Sequence, residues 1–234
     1  MSNNQICLQK AFPNCCCEDD PRVVIFRQIA EYYDKHMDLT GHIHVENYLL
    51  SGIRSSIKKT NRVLDIACGT GITSEIILKL MNPQMLVGLD ICDRMLEKYG
   101  QRFQDNTSRI RLKQIDAEFL SSDLFGGEFD LIVIAFGVCW FDISKVIPIL
   151  NSLLVKDGHI IVLDDVDLPE VMFSQFLPEM KEKIKAVRNI ITKNEIERQF
   201  LAQGFKIDNM LHTLVSDNHV AYVVSFRKKD VFTN

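Results

Sequence analysis

Arg62-Val63-Leu64-Asp65-Ile66-Ala67-Cys68-Gly69-Thr70-Gly71-Ile72-Thr73 is a β-branched apolar run carrying one acidic residue; it passes through a Gly-x-Gly turn and opens a helix-like segment. A parallel strand that turns through Gly69 and Gly71 lets a nucleoside ligand approach the backbone closely, because neither glycine presents a Cβ. A second short apolar strand, Leu86-Val87-Gly88-Leu89, ends in Asp90 about 20 residues beyond the turn, where an acidic side chain can accept both hydroxyls of a ribose.

Two ligand classes use this layout, and the third glycine separates them. A dinucleotide fingerprint needs Gly-x-Gly-x-x-Gly, the last glycine for close helix packing and the turn as a whole for seating a pyrophosphate. Here the pattern runs Gly69-Thr70-Gly71-Ile72-Thr73-Ser74, so the third glycine is missing. Asp65, just before the turn, would repel a pyrophosphate but suits a cationic ligand. S-adenosylmethionine is such a ligand, with a ribose, an adenine, an ammonium and a sulfonium and no phosphate.

Working outward, the periodicity predicts alternating elements. The strands are Arg62 to Ala67, Gln84 to Asp90, Ile110 to Ile115, Phe129 to Ala135 and His159 to Asp164; the helices between them are Thr73 to Met81, Asp93 to Gln104 and Ile143 to Leu154. Alternation at this spacing implies right-handed crossovers and a parallel sheet with helices on both faces. Phe173 to Asn189 reads as a charged amphipathic helix whose lysines and glutamates interleave as a solvated face, and Thr192-Lys193-Asn194-Glu195 is a capping box opening a helix that ends at Gly204. Lys206 to Val215 and His219 to Lys228 alternate as two strands of a hairpin. Before the sheet, residues 21–60 are helical in character, forming a cap expected over the ligand, and residues 1–20 read as a flexible tail. The core is then 61–234, with 168–191 as a candidate substrate lid.

The chain has 234 residues, 47% of them hydrophobic, enough for one α/β core, and a net charge of −4. No block of like charge suggests a nucleic-acid arm, so nucleic acid is disfavoured as a partner. No run reaches the roughly 20 apolar residues that span a bilayer, and the first residues lack a signal-peptide pattern, so the expected location is cytoplasmic. Seven cysteines, an odd number, with Cys68, Cys92 and Cys139 inside core segments, read as reduced thiols. Cys15-Cys16-Cys17 has no CxxC pair or nearby His to complete a tetrahedral site and reads as part of the tail.

Val63-Leu64-Asp65-Ile66-Ala67-Cys68-Gly69-Thr70-Gly71 resembles the first motif of class I S-adenosylmethionine-dependent methyltransferases. The resemblance continues through Gly88-Leu89-Asp90-Ile91, Gln114-Ile115-Asp116-Ala117-Glu118, Glu128-Phe129-Asp130-Leu131-Ile132-Val133 and Lys156-Asp157-Gly158-His159-Ile160. It covers Arg62 to Leu163 strongly. Within the class it is similar to small-molecule enzymes of the trans-aconitate and quinone-biosynthesis sort, which carry an apolar run ending in Trp, here Phe136-Gly137-Val138-Cys139-Trp140-Phe141.

The resemblance implies a Rossmann-like, doubly wound, seven-stranded, mostly parallel sheet closed by an antiparallel C-terminal hairpin. It implies S-adenosylmethionine as cofactor and a small-molecule methyl acceptor. Ala67, Gly69, Thr70 and Gly71 are then expected along the methionine half, Asp65 facing the ammonium, and Asp90 on the ribose with Ile91 and Met95 against the adenine. Asp116 is expected on the adenine amino group with Ala117 beside it, and Ala135 and Phe136 beside the sulfonium. Tyr33 is similar in place to an aromatic that covers the cofactor, a core aromatic being the other reading. Trp140 is expected to shape an apolar acceptor pocket or to pack the loop.

Methyl transfer needs no obligatory acid or base, but an acceptor hydroxyl or thiol is helped by one. His42 and His44, in Gly41-His42-Ile43-His44, are the candidate bases, with surface or capping roles as the alternative; no metal is expected from this pair alone. Two readings from other classes remain: a methyltransferase-fold protein that binds the cofactor for a non-methylating or regulatory role, and a NAD-dependent oxidoreductase.

Overall fold

A computed structural model describes residues 8–10, 19–58, 60–106, 108–166, 178–189, 191–216 and 219–229. The Cys15-Cys16-Cys17 cluster lies outside them.

The glycine turn sits at the carboxyl end of strand β2 (Arg62–Ile66), and two more strands, β3 (Met85–Asp90) and β4 (Ile110–Gln114), lie parallel to it on one side. On its other side β2 pairs with β5 (Phe129–Ala135), which pairs with β6 (Leu154–Asp165), both in parallel. The hairpin of β7 (Phe205–Ser216) and β8 (His219–Lys228) closes the sheet, with β8 antiparallel to β6. These seven strands form the expected mostly parallel sheet with its antiparallel end. Leu8–Lys10 (β1) adds a short eighth strand beside β4, so three residues of the expected tail are paired. The full order is β1-β4-β3-β2-β5-β6-β8-β7.

Strand alternation assigns the two faces. Leu64, Ile66, Ile132, Ile134, Ile160 and Val162 point one way, against α6 (Ile143–Leu153) and α8 (Lys193–Ala202). Val63, Leu131, Val133, Ile161 and Leu163 point the other way, against α3 (His42–Ile53), α4 (Ile72–Met81) and α5 (Asp93–Arg102). Crossovers therefore leave β2 and β5 toward opposite faces, and the cleft between their carboxyl ends is where such sheets bind ligands.

The helices of 21–60 do not act as one cap. α1 (Pro21–Ile29) and the start of α2 (Tyr33–Leu39) overlie the cleft, whereas α3 lies flat in the helix layer against β7 and β8, with Asn209 Nδ2 donating to Ser56 Oγ at 2.8 Å. Apolar residues at helical spacing do not distinguish a lid from a packed layer, and α3 buries Val45, Leu49, Leu50 and Ile53 against the sheet.

β6 begins five residues earlier than its apolar run, because Leu154 pairs with Phe129 across a register shift that no alternation pattern announces. The capping box is present: Thr192 Oγ1 accepts from the Glu195 amide at 3.2 Å. Of the candidate lid, α7 (Pro178–Val187) packs against α1, and the Asn189 amide donates to the Cys139 carbonyl at 2.8 Å. Among the described residues, no helix is long and apolar enough to cross a membrane.

Phe200 on α8 stacks on Phe226 of β8 at 4.2 Å with planes 10° apart, both fully buried. Phe200→Ala is expected to lower unfolding free energy by about 3–5 kcal/mol in urea denaturation. A loss under about 1 kcal/mol would show that this layer is not a packed core.

Candidate active site

The Gly69-Thr70-Gly71 turn is built on left-handed backbone: Ala67 has φ +56, Gly69 +51 and Gly71 +89. A Cβ on Gly71 would lie 2.7 Å from Phe103 Cε2 and 2.8 Å from Tyr99 Cδ2, so α5 packs directly on the bare glycine; a Cβ on Gly69 would meet nothing within 4 Å. Thr70 is buried, its hydroxyl donating to Asp34 at 2.5 Å and its carbonyl accepting from Arg102 Nε at 2.9 Å. The turn is thus held from behind by α2 and α5 and left open in front.

That open side is a cavity of about 600 Å³, its mouth included, at the carboxyl ends of β2, β3 and β5. Ala67 and Gly69 line it from β2, Asp90, Ile91 and Met95 from β3 and α5, Asp116 and Ala117 from beyond β4, and Ala135 and Phe136 from β5. Tyr33 and Trp140 line it too, with Phe26 meeting Trp140 edge to face at 4.8 Å. Phe136, like Ala67, is a non-glycine at positive φ (+51), and such outliers on adjacent strands concentrate the strain of the fold at this cavity.

Asp90 ties the parts together. Its Oδ2 accepts from the Gly69 amide at 2.9 Å and its Oδ1 from the Cys92 amide at 2.8 Å. Asp116 accepts from the Glu118 amide at 3.0 Å and from Arg22 Nη2 at 2.5 Å. A carboxylate has about four lone-pair positions, so both keep acceptor capacity for a ligand.

Three expected residues lie elsewhere. Thr70 and Gly71 shape the turn but do not line the cavity. Asp65 alternates with Leu64 and Ile66, so it faces the α3/α4 layer, where its Oδ2 accepts from Ser74 Oγ at 2.5 Å. Ser74 occupies the position of the missing third glycine, and its hydroxyl is what orients Asp65.

The candidate bases also part company. His44 is exposed on the outer side of α3. His42 is 1% exposed and sits behind the cavity wall, its ring edge to face with Phe136 at 5.1 Å. Neither lines the cavity, because α3 is a packed helix and not a lid.

Two residues at the site carried no signal of their own in the sequence. Arg22, beside the N-cap Asp20, spends its guanidinium on Asp20, on Asp116 and on the Trp140 carbonyl (2.9 Å), clamping α1 across the cavity rim. Glu46, on the inner face of α3, is 1% exposed with no hydrogen-bond partner for Oε1. An acid at a core position of an otherwise apolar helical stripe was the signal available for it.

The acids around the turn form one electrostatic unit. Burial pushes Glu46 up to about 8, against the pull of a Thr73 hydrogen bond and with the Asp65 charge adding to it. Burial likewise pushes Asp65 up to about 7, opposed by Ser74 and reinforced by Asp90. Asp90 rises to about 6 by burial, opposed by the amides of Cys92 and Gly69. Burial and the facing Glu46 and Asp90 raise the Tyr33 phenol, which stays neutral. Buried acids that discourage one another's ionisation favour a cationic ligand beside them.

The methyltransferase domain family matches residues 63–158. A demethylmenaquinone methyltransferase of Staphylococcus carnosus is 32% identical over 206 residues, covering 78% of this chain and 83% of that protein. The chain belongs to the class I S-adenosylmethionine-dependent methyltransferases. A ubiquinone/menaquinone biosynthesis C-methyltransferase of Methylobacterium nodulans is 38% identical over 122 residues, where the chain spans only 46% of its length. Among solved structures, the magnesium protoporphyrin IX methyltransferase of Synechocystis with bound S-adenosylhomocysteine superposes with a TM-score of 0.64 at 14% identity, covering 90% of this chain and all of that one.

The methyltransferase cavity fits its cofactor on its own evidence: an unobstructed Gly69, uncompensated buried acids behind it and two carboxylates with free acceptor capacity in front. Gly71→Ala is expected to lower the melting temperature by forcing α5 away. Gly69→Ala carries about 1–2 kcal/mol of left-handed strain, stays folded and loses S-adenosylmethionine affinity in calorimetric titration. Equal behaviour of the two variants would contradict this division.

The pH response has a defined sign. Glu46, Asp65 and Asp90 hold protons in the folded state above their unfolded values of about 4, so stability is full below about pH 4 and is lost as pH rises through about 6 to 8. The ligand-free melting temperature should therefore fall from pH 5 to 8, with a shallower slope when S-adenosylmethionine is saturating. A ligand-free melting temperature that is flat or rising over this range contradicts the acid cluster.

Proposed function

We propose that this methyltransferase methylates a nucleophilic atom of a small, largely apolar acceptor bound against Trp140, Phe26 and Phe136. The observation that carries the reading is the aromatic outer wall of the cavity. Phe26 and Trp140 meet edge to face beside Phe136 and Phe141, and the cation found at the rim among the described residues, Arg22, is already engaged by Asp20, Asp116 and the Trp140 carbonyl. An anionic acceptor would have to compete for that guanidinium; an aromatic ring of the quinol kind stacks without doing so. The names of the relatives in quinone biosynthesis agree with that acceptor class.

When bound, S-adenosylmethionine supplies a methyl group on a sulfonium whose departure leaves a neutral thioether. We assign Asp90 to the ribose hydroxyls, Ile91 and Met95 to the adenine faces, and Asp116 to the adenine amino group. Ala67, Gly69, Ala135 and Phe136 line the reacting side, and Asp65 and Glu46 supply negative charge from behind the turn without contact. Tyr33, neutral, covers the pocket. Among the described residues, the ionisable side chains lining the cavity are Asp90, Asp116, Arg22 and Tyr33, each with a binding or clamping role, so none of these is left over as a base. The chain's contribution is then positioning, which supplies about 7–11 kcal/mol in well-oriented systems, and the acceptor nucleophile attacks as its proton passes to solvent.

Asp90→Ala should weaken cofactor affinity at least tenfold, whereas Trp140→Ala should leave it within about threefold and raise KM for the acceptor. The function itself is tested by incubating the protein and isotopically labelled cofactor with a quinol series and with a cell extract. Label in an apolar small molecule supports the reading; label only in protein or nucleic acid overturns it.

A further inference from the structure

Behind Phe136, outside the cofactor cavity, three polar side chains from distant parts of the chain converge. His42 opens α3, Asp165 ends β6 and His219 begins β8. The side chains are 1%, 0% and 3% exposed, and one ligand atom from each lies within 4.8 Å of the others. Among the described residues, His42 Nε2, both Asp165 oxygens and His219 Nε2 have no aligned hydrogen-bond partner. His219 Nε2 is 2.8 Å from Asp165 Oδ1, close enough for a hydrogen bond but not aligned for one.

The His42 tautomer sharpens the problem. Thr40 Oγ1 donates to the His36 carbonyl at 2.8 Å, which commits its only hydrogen. It must therefore accept from His42 Nδ1–H, also at 2.8 Å. In neutral His42 the proton is then on Nδ1, and Nε2 aims a lone pair at a buried carboxylate oxygen 3.5 Å away. An imidazolium would remove that repulsion, but a charge-assisted N–H···O bond closes to about 2.7–2.9 Å, well inside the observed gap.

We propose that His42, Asp165 and His219 bind a divalent transition metal of the zinc class. Ligand atoms about 2.0–2.2 Å from a tetrahedral zinc stand roughly 3.3–3.5 Å apart; the His42–Asp165 separation is 3.5 Å, and the 2.8 Å contact between His219 Nε2 and Asp165 Oδ1 has to open by about half an ångström to admit the ion. Two imidazoles and one carboxylate suit zinc or iron(II) and leave coordination positions open. Thr40 holds the outer nitrogen of His42, as carboxylates and carbonyls do for metal-bound histidines. The site staples α3, β6 and β8 together and backs the Phe136 ring, so it would fix the cavity wall without touching the acceptor. It does not depend on which acceptor is methylated. In the sequence His42 and His44 stand as candidate bases from which no metal is expected; the partner of His42 is instead His219, across the sheet.

The test uses the full chain carrying Cys7, Cys15, Cys16 and Cys17 all changed to Ser, so that those thiols cannot bind. After chelation and dialysis it is titrated with Zn2+ by calorimetry and with Co2+ by visible absorption. One equivalent should bind, with Co2+ d–d bands of a four- or five-coordinate site and a melting temperature raised by Zn2+. His219→Ala and His42→Ala should weaken binding more than about 100-fold, Thr40→Val by about 10–100-fold, and His44→Ala not at all. Absence of stoichiometric binding to the unmutated site, or affinity in His42→Ala and His219→Ala unchanged from the parent, overturns the proposal. If either His variant fails to fold by circular dichroism, the Co2+ spectrum of the His-intact protein decides, and octahedral aquo-type bands alone count against the site.

Discussion

One carboxylate organises the ligand end of this fold. Asp90 receives the amides of Gly69 and Cys92, and so fastens the turn after β2 to the end of β3. Both amides are groups that a loop cannot leave unpaired when it is buried. The turn's left-handed residues, Ala67, Gly69 and Gly71, are strained alternatives to an extended chain, and they persist because Asp90 in front and Arg102 and Asp34 behind hold them from both sides. The cavity floor, the seat of the ribose and the start of α4 all inherit their position from that bond.

The acids around the turn explain why the third glycine is absent. A glycine at position 74 would permit closer helix packing but would leave Asp65 buried without a donor. Ser74 supplies the donor, at the same place and from the same helix turn. With Asp65 so placed and Glu46 brought in by α3, two buried acids stand behind the turn and hold protons until a cation beside them favours their ionisation. A pyrophosphate would meet repulsion there; a sulfonium and an ammonium are attracted. The choice of cofactor class therefore lies in the layer behind the site as much as in the residues that line it.

What was legible in the sequence is what repeats locally. β5 and β8 were read to the residue, because an apolar run bounded by turns needs only its own neighbours to be recognised. The residues that the family resemblance set at the carboxyl ends of β2, β3 and β5 line the cavity, apart from Asp65, Thr70 and Gly71. What escaped was decided by pairing across the sheet. β6 extends back to Leu154 through a bulge with β5. Asp65 turns away from the ligand because a strand's odd and even residues face opposite layers, a parity that the motif itself does not display. Arg22 gains its meaning from Asp116, and His42 from Asp165 and His219, partners that lie far along the chain.

Two buried polar clusters share one helix. Both lie in contact with α3, Glu46 on its inner face beside Asp65 and Thr73 and His42 at its first residue against the strained Phe136. A helix that served only as a lid would have no reason to bury an acid and a histidine against the sheet, since each costs desolvation unless something compensates it. The compensation differs in kind. Near Glu46 protonation suffices until a cationic cofactor arrives, so the charge there is switchable. Near His42 the hydroxyl of Thr40 has already fixed the tautomer, and a proton can close the cluster only by drawing in a 3.5 Å gap that tight packing resists. A cation there would take up the lone pairs of His42 and Asp165 across the 3.5 Å gap once the 2.8 Å contact of His219 with Asp165 opens, which is why we propose a site at the second cluster and a field at the first.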